Sequence, residues 1–102
     1  MAYVVTVQHH PGKSDLRESL REAHRRHLAS AGDALIGAGA VLDEDGEITG
    51  GMIILDEADR DAAEAFDRRD PYAEAGLIRS REITRWRLRW SFGEFRADGF
   101  DH

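Results

Sequence analysis

The chain contains no cysteine. This excludes a disulfide scaffold, a thiolate nucleophile and any cysteine-ligated zinc site. Long hydrophobic runs are missing too. No stretch approaches the roughly 20 apolar residues that a membrane span requires. The N-terminus enters Tyr3-Val4-Val5-Thr6-Val7 directly, with no basic region ahead of it, so no secretion signal is read. A cytoplasmic location is the expectation, with no membrane partner. An excess of positive charge is also absent. Fourteen basic residues face 20 acidic ones, a net charge of −6, which argues against nucleic acid held by bulk electrostatics. With 102 residues, one domain is expected. Its core is modest, and a partner subunit would add to it.

What is present follows a regular order. Residues 2–8 are β-branched and weakly alternating, which reads as a strand. His9-His10-Pro11-Gly12 breaks it. Ser14 is the expected N-cap of a helix over 15–31, ended by Gly32. At about 100° per residue, Leu16, Leu20, Ala23, Leu28 and Ala31 share one face, and His24 and His27 lie within it. A second strand over 34–42 has a middle of small residues, Gly37-Ala38-Gly39-Ala40. These either let a helix sit close or leave room for a ligand, with Gly39 as the candidate lining residue. Asp43-Glu44-Asp45-Gly46 is a hairpin turn into a return strand over 47–55. A second helix is expected over 59–68, capped by Asp59, with Ala62, Ala63 and Phe66 facing inward.

Asp70-Pro71-Tyr72-Ala73-Glu74-Ala75-Gly76-Leu77 is the segment densest in positional meaning. Proline at a first helical position loses no hydrogen bond. Asp70 can cap the amides after it, and Gly76 can close the turn in a left-handed conformation. A last strand is expected over 78–92, with Trp86, Leu88, Trp90 and Phe92 on one face and Arg85, Arg87 and Arg89 on the other. Arg79 and Arg81 extend the arginine row. Either the row covers apolar surface with its stems, or one arginine, Arg81, turns into the barrel and holds an anionic substrate group. Residues 93–102 are read as a polar tail or an extension that pairs with another subunit, appended to a domain over 1–92.

The order β-α-β-β-α-β is the ferredoxin-like arrangement, an α+β fold with an antiparallel sheet and both helices on one face. The other sheet face is left bare and partly apolar. A homodimer whose sheets face each other to form an α+β barrel is expected to cover it.

These pieces resemble the YCII-related (YciI-like) family of small dimeric α+β barrel proteins. The resemblance spans residues 3–90. It rests on the strand ahead of His10-Pro11-Gly12, on Arg21-Glu22-Ala23-His24-Arg25-Arg26-His27-Leu28, on Gly37-Ala38-Gly39-Ala40, on Asp70 to Leu77, and on Ile83-Thr84-Arg85-Trp86. The resemblance implies a His–Asp pair in a cleft, falling on His24 and Asp70. Spacing alone leaves His24 and His27 equivalent. By the same motif His10, rather than His9, lines the mouth. Departures are Ala40 and Arg85, where the family often has proline, and Arg81, where a small apolar residue is common.

A histidine beside a carboxylate is an acid–base unit. Without a serine or cysteine nucleophile the pair suits proton transfer. The resemblance implies removal of HX from hydroxylated aromatic rings or, in related barrels, lactone isomerisation, and neither needs a cofactor. Tyr72 either donates its hydroxyl to an enolate or phenolate oxygen or simply packs. An Asp70 that caps amides orients His24 and is not itself the base. The alternatives are a non-catalytic ligand-binding dimer and a cofactor-independent monooxygenase. A metal site from His10, His24 and Asp70 lacks a compact ligand motif, and no metal is expected. Gly37-x-Gly39 lies inside a strand, which argues against nucleotide binding.

Overall fold

The computed structural model describes residues 1–100. Four strands form one antiparallel sheet: β1 (Ala2–His9), β2 (Leu35–Leu42), β3 (Ile48–Asp56) and β4 (Ile78–Trp86), in the order β2-β3-β1-β4. Between them run α1 (Ser14–Ala29), α2 (Arg60–Arg68) and a single turn, α3 (Pro71–Glu74). This is the expected ferredoxin-like α+β fold of the dimeric barrel proteins. No helix among the described residues is long and apolar enough to cross a membrane.

The register assigns the two sheet faces. Val5 pairs with Ile53 on one side and Ile83 on the other, and Tyr3 pairs with Leu55. These residues join Ala63 and Phe66 of α2 in the core. Burying Leu55 completely contributes about 1.5–3 kcal/mol. Strand alternation puts Val4, Met52, Ile54 and Trp86 on the opposite, uncovered face, where Met52 and Trp86 are exposed.

Local chemistry follows the sequence closely. Asp59 caps α2 through a bond from the Ala62 amide, 2.8 Å. Asp43 Oδ1 accepts from the Asp45 and Glu47 amides and so shapes the β2–β3 turn, where Gly46 takes φ +85°. Gly76 closes α3 at φ +81°. Ser14 does not cap α1. The cap residue is Lys13, without a side-chain bond.

The C-terminal region departs from expectation. The last strand of the sheet ends at Trp86 rather than at 92. The reason is the length of its neighbour: Trp86 pairs with Ala2, where β1 begins. The chain then turns through Phe92 and Gly93, both at positive φ, into a separate hairpin of β5 (Trp90–Ser91) and β6 (Glu94–Phe95). Trp90 and Phe95 pack with ring centroids 4.7 Å apart. The amides of Arg96 and Phe100 return to the carbonyls of Arg89 and Leu88 at 2.8 and 2.9 Å. The alternating face expected for Trp86, Leu88, Trp90 and Phe92 is therefore not formed. Residues 101–102, the end of the expected tail, lie outside the described residues.

Candidate active site

A cleft of about 420 Å³ opens between α1 and the β2–β3 half of the sheet. Its apolar wall includes Val5, Val7, Leu28 and Ile53, and its polar groups include His9, Arg17, His24, Asp67, Asp70 and Tyr72. Small residues keep it open. Ala38, Gly39 and Ala40 of β2 line it.

Two elements deliver the central pair. The apolar periodicity of α1 turns His24 inward, half-buried. Asp70 is the N-cap of α3 and is buried. His24 Nδ1 lies 2.9 and 2.7 Å from Asp70 Oδ1 and Oδ2. Asp70 Oδ1 also accepts the Tyr72 amide at 2.9 Å. The carboxylate therefore holds a helix turn and an imidazole together. An ionised Asp70 accepts only, so Nδ1 carries the proton and donates it. Among the described residues no buried side-chain nitrogen or oxygen lacks a partner. Nε2 of His24 has none and is therefore not sealed in the core, and His24 lines the cleft. Tyr72 stacks flat on the His24 ring, centroids 4.0 Å apart and planes 6° from parallel. Burial, then the neighbouring Asp70 charge, push the Tyr72 phenol above its ordinary 10.0. Its hydroxyl thus stays protonated at neutral pH.

His27 is differently occupied. Its Nε2 donates to the Phe66 carbonyl at 2.8 Å, and its ring stacks on Phe66 at 4.2 Å. It fastens α1 to α2.

Two expectations need correction. His10 is exposed and borders a neighbouring groove, and His9 is the residue that lines the cleft. Strand alternation explains this: Tyr3, Val5, Val7 and His9 share the helix-covered side. Arg81 is absent from the cleft wall. It sits opposite Val7 on that same side, and its Nε donates to Asp67 Oδ2 at 2.5 Å. Its charge is taken up inside the protein.

Sequence reading missed Arg17, His9 and Asp67. Arg17 stands seven residues, two helical turns, before His24, which places both on one face. Its guanidinium donates to His9 Nδ1 at 3.2 Å. His9 thus accepts at Nδ1, and its neutral form carries its proton on Nε2. Burial, then Arg17 and His24, push its imidazole below the ordinary 6.5, against an opposing pull from Asp70. Burial likewise pushes the Asp67 carboxyl above 3.8. Arg81 opposes the rise and Asp70 adds to it.

Among the described residues, no three histidine, aspartate or glutamate side chains gather as metal ligands. His10, the third member of the metal reading, is in the other groove.

The family model of the YCII-related domain matches residues 1–87. No curated protein matches the chain. Among solved structures, 5-chloro-2-hydroxyhydroquinone dehydrochlorinase from Burkholderia phenoliruptrix AC1100, in complex with 2,5-dihydroxybenzoquinone, superposes with a TM-score of 0.78 at 24% identity. The match covers 86% of this chain and 95% of that one. The Agrobacterium tumefaciens protein Atu4242 gives 0.52 at 20% identity, over 90% and 98% of the two chains. The cofactor-independent oxygenase SnoaB from Streptomyces nogalater gives 0.51 at 14% identity, over 91% and 96%. At these identities the likeness is one of fold.

Proposed function

The chain belongs to the YCII-related family, and from that premise we propose that it is a cofactor-independent acid–base enzyme. It acts on a small hydroxylated aromatic or a lactone by proton transfer, as a lyase or isomerase. The observation that carries this reading is the contact of His24 Nδ1 with both Asp70 oxygens, at 2.9 and 2.7 Å, beside an open cleft.

His24 Nε2 is the base. It takes a proton from the substrate, and the imidazolium that results keeps its Nδ1–H on Asp70. The stacked Tyr72 face also favours that cation. Asp70 orients and does not exchange a proton, because its oxygens already accept from His24 and the Tyr72 amide. Negative charge developing on a substrate oxygen meets Arg17, which lines the cleft, and charge-assisted bonds of this kind are the stronger ones. The Tyr72 hydroxyl is a second donor. In a dehydrohalogenation the C–H electron pair forms the new double bond as halide leaves, so the step needs no outside oxidant.

The relatives' fold also supports a homodimer formed by the bare sheet face, with the β5–β6 hairpin continuing that contact. Trp90, Phe92 and Phe95 of the hairpin are all exposed in the single chain.

The test is turnover on a panel of chlorinated hydroxyhydroquinones, other hydroxylated aromatics and lactones, read by chloride release and product chromatography. His24→Gln and Asp70→Asn are each expected to lose at least about 10²-fold in rate. Asn is a good N-cap, so Asp70→Asn should melt close to wild type. Loss of folding in both variants would make the pair structural. A bound small molecule without turnover would favour a ligand-binding role, and oxygen uptake on the same panel would favour a monooxygenase.

A further inference from the structure

The cleft holds two carboxylates, and they differ in what remains free. Asp70 is committed to His24 and to the Tyr72 amide. Asp67, at the end of α2, is buried and lines the same cleft. Its Oδ2 receives Arg81 Nε at 2.5 Å. Its Oδ1 has no hydrogen-bond partner within the protein, yet no buried side-chain oxygen among the described residues lacks one. Oδ1 is therefore not sealed in the core, and the residue that carries it lines the cleft. Arg81 is itself largely buried, its side chain 13% exposed, so it holds the carboxylate in one orientation.

We propose that Asp67, fixed by Arg81, is a specificity-determining group that accepts a hydrogen bond from a neutral hydroxyl of the substrate. The proposal deepens the proton-transfer reading and rests on it for the identity of the cleft. A carboxylate oxygen that only accepts pairs with an O–H donor and leaves a methyl ether without a partner. It also repels an anionic group at that point. The substrate class is thus a phenol or enol that presents one protonated hydroxyl to α2 while its reacting end lies at His24. Arg81 is a positioning residue: it acts through Asp67 and does not line the cleft.

The test is titration without turnover. Hydroquinone and 1,4-dimethoxybenzene are titrated calorimetrically into wild type and into Asp67→Leu/Arg81→Met. The double replacement is chosen because removing one partner of a buried pair leaves an uncompensated charge, whereas apolar replacement of both is often tolerated. Wild type is expected to bind hydroquinone at least about tenfold tighter than the diether, and the paired variant to compress that ratio to about threefold or less. Asp67→Asn, which keeps the shape, is expected to give an intermediate ratio, and it serves if the paired variant does not melt cooperatively. A wild type that fails to discriminate or binds neither probe, or a variant that retains the full ratio, overturns the proposal. Because no turnover enters, the ratio stands independently of the His24→Gln result, so either reading can fail alone.

Discussion

Asp70 serves one partner 46 residues before it and another two residues after it. Its Oδ1 holds the Tyr72 amide, and both its oxygens hold His24. The residue scale is also where pH acts. His9 is pushed below its ordinary 6.5 by burial first, then by Arg17. The unfolded chain therefore binds more protons at this site in the window just under 6.5. Stability rises with pH wherever the unfolded state holds the extra proton. The contribution is thus present above the ordinary value and is lost as pH falls through the lowered one. Urea unfolding is expected to show lower stability at about pH 5.5 than at about pH 7.5, with a smaller difference in His9→Gln. An unchanged difference in the variant would remove His9 as the source.

His9 was legible in principle. Its place is fixed by the same period of two as Tyr3, Val5 and Val7, and a motif preference for His10 obscured it. Between His24 and His27 the sequence carried no such rule. Both lie on the inner face of α1, and the choice depends on what stands opposite: a carboxylate from α3 for one, a backbone carbonyl from α2 for the other. Those partners are 46 and 39 residues away, beyond the reach of helical periodicity.

At the scale of elements, the strands show how far patterning reaches. The inward face of α1 and the Asp59 cap of α2 were both readable, because each depends on neighbours within a turn or two. The end of β4 was not. It is set by where β1 begins, which is a matter of pairing register. The close approach of β3 to β1 has the same origin. A Cβ on Gly50 would lie 2.2 Å from the Val7 carbonyl oxygen, whereas one on Gly39 meets nothing within 4 Å. Gly50→Ala is expected to cost about 1–3 kcal/mol in chemical denaturation, because the strands must separate to accept the methyl group. Gly39→Ala should stay within about 0.5 kcal/mol of wild type. Equal effects would mean that backbone freedom, rather than strand approach, selects glycine at position 50.

The whole molecule carries one face that the chain alone does not cover. Val4, Met52, Ile54 and Trp86 share the side of the sheet away from the helices, and the proposed second copy, placed face to face, would cover them. Ile54→Glu is expected to convert a dimer to a monomer in sedimentation velocity and to lower the melting temperature, while a surface control such as Glu22→Gln changes neither. A wild type that sediments as a monomer at micromolar concentration would end the barrel reading. The fold class was legible because hydrophobic periodicity encodes which face each element covers. The ligand was not, because it depends on groups brought together from β1, α1, α2 and α3.

The two walls of the cleft have different owners. The proposed reactive pair comes from the helical side, on α1 and at the N-cap of α3. The opposite wall is Ala38, Gly39 and Ala40, on β2 at the edge of the sheet. Edge positions accept larger side chains with little disturbance to the rest of the sheet, and none of the three bonds to His24 or Asp70. Selectivity thus has a second source on β2, beside the role proposed for Asp67 on α2. A handful of substitutions on β2 would retune which molecules enter while the proposed proton-moving pair stays as it is, which makes the strand a natural place to diversify or redesign the protein.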